Sequence, residues 1–213
     1  MNFISEELET YALNHSSAEL EVLSELSRHT HLTNLKPRML SGHLQGLFLQ
    51  SISRMVRPRR VLEIGTFTGY SAICLAQGLA DDGLLITIDC NPELEADVKS
   101  FIEKSGLSHK IQVVIGNAVT IIPEISEIFD IVFIDADKEN YSLYFDLVID
   151  KVRSGGVIIA DNVLWSGKVL NPQQNQDADT QAIIEFNEKI KKDARVTNVL
   201  LPIRDGIMLM TKL

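Results

Sequence analysis

Acidic and amide side chains follow two short apolar segments in the second half of the chain. Asp135 comes directly after residues 131–134, and Asp161 and Asn162 come directly after residues 157–160. Brief, β-branched segments with almost no charge are typical of strands buried on both faces of a parallel sheet. Ligands bind beyond the carboxyl ends of such strands, so these three side chains are expected at one edge.

The oxygen atoms of Asp135, Asp161 and Asn162 are hard ligands, which suit Mg²⁺ first and also Mn²⁺ or Ca²⁺. The alternative is that Asp161 and Asn162 only cap or turn the chain. Acidic groups on adjacent strand ends repel each other unless a cation compensates them. The pattern therefore favours a divalent-cation site over a purely structural turn.

A glycine-rich segment, EIGTFTGYS at residues 63–71, follows an earlier apolar segment. A dinucleotide fold carries G-x-G-x-x-G and rests a pyrophosphate on bare amides. Here the pattern is E-x-G-x-x-x-G, and the Glu63 carboxylate suits an ammonium or a hydroxyl better than a pyrophosphate. Asp89 ends the next apolar segment and suits the hydroxyls of a ribose. The pattern favours S-adenosylmethionine over NAD, although a plain tight turn and a helix-capping Asp89 remain alternatives.

Five apolar segments alternate with helix-like segments, which predicts a parallel α/β sheet with helices on both faces. Two further strand-like segments flank Asp205-Gly206, a hairpin signal, and should add an antiparallel pair to make seven strands. The expected strands are residues 61–64, 84–88, 111–115, 131–134, 157–160, 196–203 and 207–212. The expected helices between them include residues 93–104, 140–151 and 179–192, and residues 164–178 are expected to form a mobile loop over a site.

Helices are also expected before the sheet. The first covers residues 5–14, and the second starts at Ser16, with Glu19 completing a capping box. A break at residues 35–37 precedes a third helix, residues 42–55. Its expected apolar face carries Leu44, Leu47, Phe48 and Ile52. We therefore predict one domain over residues 1–213, with a helical segment at 1–56 and a Rossmann-like core at 57–213.

Composition excludes several classes of protein. The 213 residues carry a net charge of −9, which argues against a nucleic-acid partner. No apolar stretch reaches the ~20 residues of a membrane span, and the N-terminus lacks the features of a signal peptide. Cys74 and Cys90 form no C-x-x-C motif and lie in apolar stretches of sequence, so both are expected to be buried structural cysteines. Such cysteine usage fits a protein of the reducing cytoplasm.

Several blocks of the sequence resemble the cation-dependent class I O-methyltransferases of the caffeoyl-CoA type, to which catechol O-methyltransferase is related. The blocks are VLEIGTFTGYSAICLA, LITIDCNPE, IGNA, FDIVFIDADKENY and GGVIIADNVLWSGKV. The resemblance extends from about Lys36 to the Asp205-Gly206 hairpin. It implies a homodimer that moves the methyl group of S-adenosylmethionine to a catechol or phenylpropanoid-like small molecule, with a divalent cation.

The resemblance also assigns roles by position. It implies cofactor contacts from Ser41, Glu63, Gly65, Thr66, Ser71, Asp89, Ala118 and Asp137. Asp135, Asp161 and Asn162 match the cation ligands, and Asp135 would also touch the substrate. Lys138 matches the general base, and Tyr141 and Trp165 would lie near the acceptor.

Two departures from the plant enzymes disfavour a caffeoyl-CoA substrate. The segment before Lys36 is short and offers no clear match to their acyl-CoA-contacting lysine, and Ser166 stands where they have asparagine. The form DNVLWSGKV is closer to bacterial members, which accept varied small catechols.

Three alternatives compete with this hypothesis. A nicotinamide-dependent oxidoreductase would bind NAD without a metal, and the E-x-G-x-x-x-G pattern counts against it. A non-catalytic binding module of the same fold would not need the three predicted cation ligands or Lys138, so their presence counts against it. A methyltransferase acting on nucleic-acid or protein nitrogen often carries an N-P-P-Y-type motif after the fourth strand, where this chain reads D-A-D-K.

Overall fold

A mixed sheet of seven strands runs through the computed structural model, which describes residues 5–213. The strand order is β3-β2-β1-β4-β5-β7-β6. The strands are β1 (Arg60–Ile64), β2 (Leu84–Asp89), β3 (Ile111–Ile115), β4 (Phe129–Ile134), β5 (Val152–Asp161), β6 (Val196–Leu201) and β7 (Ile207–Lys212). The pairs β1–β2, β2–β3 and β4–β5 are parallel, and β7 runs antiparallel to β5 and β6. The predicted sheet with its C-terminal antiparallel hairpin is confirmed.

Helices accompany the strands along the described chain. They are α1 (Glu6–Asn14), α2 (Glu21–Thr33), α3 (Gly42–Val56), α4 (Tyr70–Ala76), α5 (Glu95–Lys104), α6 (Ala118–Glu124), α7 (Tyr141–Ile149) and α8 (Ala178–Lys192). Short 3₁₀ turns occur at Pro37–Met39, Pro92–Leu94, Lys138–Asn140 and Trp165–Leu170. In residues 5–213, none of the helices has the length and apolar character needed to cross a membrane.

The chain divides into two compact units. One comprises Glu7–Ala118 and contains β1, β2 and β3, and the other contains Val119–Leu213, with strands β4 to β7. In the unit that contains β4, the last four residues of this strand, 131–134, are wholly buried. Such burial is expected of an uncharged strand covered on both faces. The division at residue 57 into a helical segment and a core stays a prediction.

The start of α2 differs from the prediction. Its N-cap is Leu20, which offers no side-chain bond to the helix. The Ser16 hydroxyl instead donates to the Ala12 carbonyl at 2.7 Å, and Glu19 accepts a hydrogen bond from the Tyr70 hydroxyl. The capping-box prediction was wrong because Ser16 satisfies the end of the preceding helix rather than the start of the next one.

The buried face of α3 also differs from the expected one. It carries Gln45, Gly46, Leu49 and Ser53, while the expected apolar face (Leu44, Leu47, Phe48 and Ile52) is only half-buried. A β-carbon on Gly46 would lie 2.7 Å from Cε1 of Tyr70 and 2.8 Å from Sγ of Cys74. Close packing of α4 on α3 therefore requires a residue without a side chain at position 46, which a search for apolar periodicity does not detect.

The two cysteines lie in different environments. Cys74 is buried in α4, and burial raises the pKa of its thiol far above the ordinary value. Cys90 is exposed, so the expectation that both cysteines are buried was wrong. Cys90 directly follows the last residue of β2, where the chain has already left the core.

Candidate functional site

The ends of β4 and β5 bring the predicted cation ligands together. The parallel register pairs Ile134 with Ala160, so Asp135 and Asp161 leave neighbouring strands side by side, about 4.8 Å apart along the sheet. Asp161 is 3% exposed, and the Asp135 side chain is 20% exposed. Carboxylates carried by adjacent strand ends repel each other unless a cation compensates them.

Asn162 completes this set through an unusual backbone conformation. Its φ is 58°, in the left-handed region that asparagine tolerates better than most residues. Its backbone N–H donates to Oδ1 of Asp161 at 2.7 Å. Within residues 5–213 no group of three or more His, Cys, Asp or Glu could hold a metal ion. A cation here would therefore need the amide oxygen of Asn162 besides two carboxylates, and such an all-oxygen set fits Mg²⁺.

Lys138 lies next to these ligands, in the 3₁₀ turn after β4. Its side chain is only 8% exposed, and Nζ lies 3.2 Å from Oδ1 of Asp135. Nζ also donates to the Tyr141 hydroxyl at 2.6 Å and lies 5.6 Å from the centre of the Trp165 ring. The structure thus brings the predicted base together with the predicted ligand Asp135 and with both aromatic residues.

Tyr141 is wholly buried. Its hydroxyl donates to the Asp161 carbonyl at 3.0 Å, and its ring meets Phe186 edge-on with centroids 5.4 Å apart. Burial raises the pKa of this hydroxyl well above its ordinary value, and the nearby negative charge of Asp135 is the next largest cause. The resemblance placed Tyr141 beside the acceptor, whereas in the structure its hydroxyl contacts Lys138 and the end of β5.

Trp165 begins a segment of strained backbone. The φ angles of Trp165, Ser166 and Gly167 are 46°, 54° and 79°, and left-handed values are rare for a bulky residue such as Trp165. Its indole Nε1 is buried and has no hydrogen-bond partner within the described chain. A buried donor left unsatisfied costs about 1–3 kcal/mol, so an oxygen atom of a bound molecule would stabilise it.

The turn between β6 and β7 holds this segment. Leu164 donates its backbone N–H to the Asp205 carbonyl at 2.9 Å, and Ser166 donates to Oδ1 of Asp205 at 2.5 Å. Val163 donates to the Gly206 carbonyl at 3.1 Å. Partial burial raises the pKa of the Asp205 carboxyl. The sequence indicated Asp205-Gly206 only as a hairpin, and its second role depends on contacts that no local pattern reveals.

We expect Gly206→Ala to destabilise the protein more than Gly106→Ala. Both glycines have left-handed φ, +89° and +72°, but a β-carbon on Gly206 would lie 2.5 Å from Cγ of Leu164, whereas one on Gly106 meets nothing within 4 Å. Each alanine costs about 1–2 kcal/mol for its backbone, and overpacking adds about 1–3 kcal/mol at Gly206 only. Urea unfolding measures the free energy of unfolding of each variant. Equal losses in the two variants would show that a β-carbon at position 206 does not clash with Leu164.

In the other unit, Asp89 holds the glycine-rich turn. Its Oδ2 accepts the backbone N–H groups of Thr66 at 3.0 Å and Phe67 at 2.8 Å, and its Oδ1 accepts that of Asn91 at 2.9 Å. A carboxylate has about four lone-pair sites. Because three backbone N–H groups already bond to Asp89, its carboxylate can accept about one further hydrogen bond. The turn itself needs the left-handed φ of 101° at Gly65.

Glu63 lies beneath this turn and is wholly buried. Its Oε2 accepts a hydrogen bond from Oγ1 of Thr87 at 2.5 Å, and Oγ1 of Thr87 lies 2.5 Å from Oγ1 of Thr66. These contacts link the end of β1 to β2 and to the turn. Thr87 was not among the predicted site residues, although a hydroxyl in the middle of an apolar strand was a signal for it.

The remaining predicted cofactor contacts lie at helix starts and in the turn after β4. Ser71 is nearly buried in α4, which follows the turn directly, whereas Ser41 and Ala118, also nearly buried, share no hydrogen bond with the turn in the described chain. Asp137 is exposed. It accepts hydrogen bonds from the Tyr144 hydroxyl at 2.5 Å and from the side-chain amide of Asn140.

A family model described as O-methyltransferase matches residues 13–213. "Probable caffeoyl-CoA O-methyltransferase 2" of Dictyostelium discoideum is 35% identical over 208 residues, which are 95% of this chain and 90% of that protein. "Caffeoyl-CoA O-methyltransferase 1" of Nicotiana tabacum is 35% identical over 211 residues, covering 92% of this chain and 86% of that protein.

Solved structures give the same result. The O-methyltransferase from Bacillus cereus, crystallised with SAH, matches with a TM-score of 0.88 and 32% identity over 97% of each chain. The O-methyltransferase TomG from Streptomyces achromogenes, crystallised with SAM, matches with a TM-score of 0.88 and 31% identity over 97% of this chain and 96% of that one.

Proposed function

The chain belongs to the O-methyltransferase family, and from this premise we propose that it moves the methyl group of S-adenosylmethionine to a hydroxyl of a catechol-type molecule, assisted by a divalent cation. The observation that carries the proposal is the side-by-side position of Asp135 and Asp161 at the ends of β4 and β5, with Nζ of Lys138 at 3.2 Å from Asp135. Family membership sets aside the nicotinamide-dependent oxidoreductase that the sequence left open.

Asp135, Asp161 and Asn162 would hold the cation, with Mg²⁺ as the first choice. When bound, it would supply Lewis-acid stabilisation of the negative charge that develops on the acceptor oxygen. The chain would contribute two carboxylates from neighbouring strand ends and the side-chain amide of Asn162, whose backbone is left-handed. This arrangement favours an acceptor with two vicinal hydroxyls.

Lys138 would take the proton of the attacking hydroxyl or stabilise the phenolate. Its Nζ is largely shielded from water, and shielding strengthens electrostatic interactions in the site. A general base of this kind contributes roughly 10²–10⁴-fold to a rate. Sulfonium and phenolate neutralise each other as they react, so an environment with little water favours the transfer.

The cofactor would be held chiefly by the glycine-rich turn and the acids around it. Gly65 and Thr66 lie on the turn, Glu63 lies beneath it and Asp89 fixes its N–H groups. Asp89 retains capacity for a ribose hydroxyl, and Ser41, Ser71, Ala118 and Asp137 complete the proposed contacts. The relatives crystallised with SAM and SAH support S-adenosylmethionine as the cofactor.

The acceptor is proposed to be a small phenolic molecule, in keeping with the caffeoyl-CoA names of the relatives. Trp165 would contact it, because its buried Nε1 needs an acceptor oxygen, and Asp135 would contact it beside the cation.

We also propose that the protein is a homodimer, because α1 has no buried residue and exposes Leu8 and Tyr11. Light scattering would give the mass of the particle in solution and so test this proposal. A cytoplasmic location stays a prediction.

The proposal is tested by incubating the protein with S-adenosylmethionine and a panel of catechols, with Mg²⁺ or with EDTA, and measuring S-adenosylhomocysteine. We expect turnover with catechols and Mg²⁺, and almost none in EDTA or with monophenols that lack the second hydroxyl. Undiminished turnover in EDTA would overturn the cation, equal turnover of monophenols would overturn the chelating acceptor, and no turnover with any catechol would overturn the substrate class.

A further inference from the structure

Tyr141 connects Lys138 to both strand ends that carry the proposed cation ligands. Its hydroxyl lies 2.6 Å from Nζ of Lys138, 3.0 Å from the Asp161 carbonyl oxygen and 3.4 Å from the Ile134 carbonyl oxygen. The residue is wholly buried, so it offers no surface to an acceptor molecule. Its contacts are those of a residue that acts on Lys138.

The number of hydrogens fixes the direction of each bond. A tyrosine hydroxyl has one hydrogen, and the carbonyl oxygens of Asp161 and Ile134 can only accept it. The hydroxyl oxygen must therefore accept from Lys138. A lysine ammonium has three N–H groups, of which one points to Tyr141 and one to Oδ1 of Asp135. One corner of the amine remains for exchange of a proton.

We infer that Tyr141 is a positioning residue whose hydroxyl sets which corner of the Lys138 amine faces the reacting hydroxyl. The inference rests on the proposed role of Lys138 as the base. The bonds to Tyr141 and Asp135 occupy two of the three directions around Nζ, so they leave one direction of the amine for the reacting hydroxyl. Without the Tyr141 hydroxyl, the amine can rotate about its last bond and that direction is no longer fixed.

Tyr141→Phe removes only this hydroxyl, because the ring keeps its edge-on contact with Phe186 and its position 4.7 Å from Nζ of Lys138. We expect kcat to fall roughly ten- to a hundredfold, since small errors in position cost this much, while KM for S-adenosylmethionine stays within about twofold. The matched control is Ser53→Ala, which removes a buried hydroxyl that donates to the Leu75 carbonyl at 2.6 Å in the other unit. Its kcat should not change.

A double-mutant cycle separates positioning from a general loss of stability. If Tyr141 acts through Lys138, Tyr141→Phe should lower kcat no further in a Lys138→Ala background. Equal fold losses in both backgrounds would overturn the inference. An unchanged kcat in Tyr141→Phe, with Lys138→Ala strongly impaired, would overturn it while leaving the proposed function intact. An unchanged kcat in Lys138→Ala would overturn the base itself and the inference with it.

A second measurement does not depend on activity. In protein labelled with [ε-¹³C]lysine and free of metal, the Lys138 resonance is identified as the one that Lys138→Ala removes. We expect it to shift in Tyr141→Phe and to stay in place in Ser53→Ala, because only the first substitution removes a partner of Nζ. An unmoved resonance in a folded Tyr141→Phe protein would overturn the inference.

Discussion

Asp161→Asn is expected to abolish nearly all cation-dependent turnover while S-adenosylmethionine still binds. The proposed cation set contains only two carboxylates, and Asp161 is the more deeply buried of them, at 3% exposed. The asparagine amide is similar in shape to the aspartate carboxylate, but the substitution removes one of the two negative charges that would attract a cation. Lewis-acid stabilisation is worth several kcal/mol and 1.36 kcal/mol is tenfold in rate, so the loss should reach roughly a thousandfold.

Thermal unfolding provides a measurement of the same site that is independent of turnover. A ligand that binds only the folded state at a hundred times its Kd stabilises it by about 2.7 kcal/mol. Mg²⁺ should therefore raise the melting temperature of the unaltered protein and not that of Asp161→Asn. Calorimetric titration with S-adenosylmethionine should give similar Kd values for both, which distinguishes a lost cation site from a lost fold.

Asp130→Asn is the matched control for this substitution. Asp130 lies near the other end of β4 and accepts a hydrogen bond from Nε of Arg153 at 2.6 Å. An ion pair close to the surface is worth at most about 1 kcal/mol, so this variant should keep both its turnover and its response to Mg²⁺. If Asp161→Asn also keeps both, the cation does not bind at the ends of β4 and β5.

The strand ends could be predicted from sequence because buried parallel strands consist of short apolar segments. Residues 111–115 and 207–212 form β3 and β7 with the expected bounds. Asp135 follows β4 as expected, and Asp161 is the last residue of β5, one position inside the strand. Parallel pairing then brings residues distant in sequence to neighbouring positions. Hydrophobic pattern and strand order therefore suffice to group the acidic residues.

What the sequence did not reveal depends mostly on tertiary contacts. Ser16 and Glu19 fit a local capping pattern, but Ser16 bonds back to Ala12 at the end of the preceding helix, and Glu19 bonds to Tyr70, which is distant in sequence. Tyr141 was assigned to the acceptor by its place in the motif, while its burial follows from packing against Phe186. Asp205 holds the Trp165 segment through bonds between positions about forty residues apart, and local patterns carry no information at that distance.

Lys138→Met is expected to lower kcat by roughly 10²–10⁴-fold, the usual contribution of a positioned acid or base. Methionine keeps an unbranched apolar stem in the buried site beside Trp165 and Tyr141, so the fold should persist. The Kd for S-adenosylmethionine should change little, because the contacts proposed for the cofactor come from other residues.

The control and the pH dependence distinguish a base from a structural lysine. Lys189→Met removes another lysine of the same unit, which pairs with Asp146 at 2.5 Å, and should leave kcat unchanged. In Lys138→Met, turnover should rise roughly tenfold per pH unit below the pKa of the acceptor hydroxyl in the site, because the hydroxyl then ionises without a base. A free phenol has a pKa near 10, and the bound cation would lower it. Equal losses of kcat and of cofactor affinity in Lys138→Met would instead mean that the lysine supports the fold of the site, since a base acts on the transferred proton and not on binding.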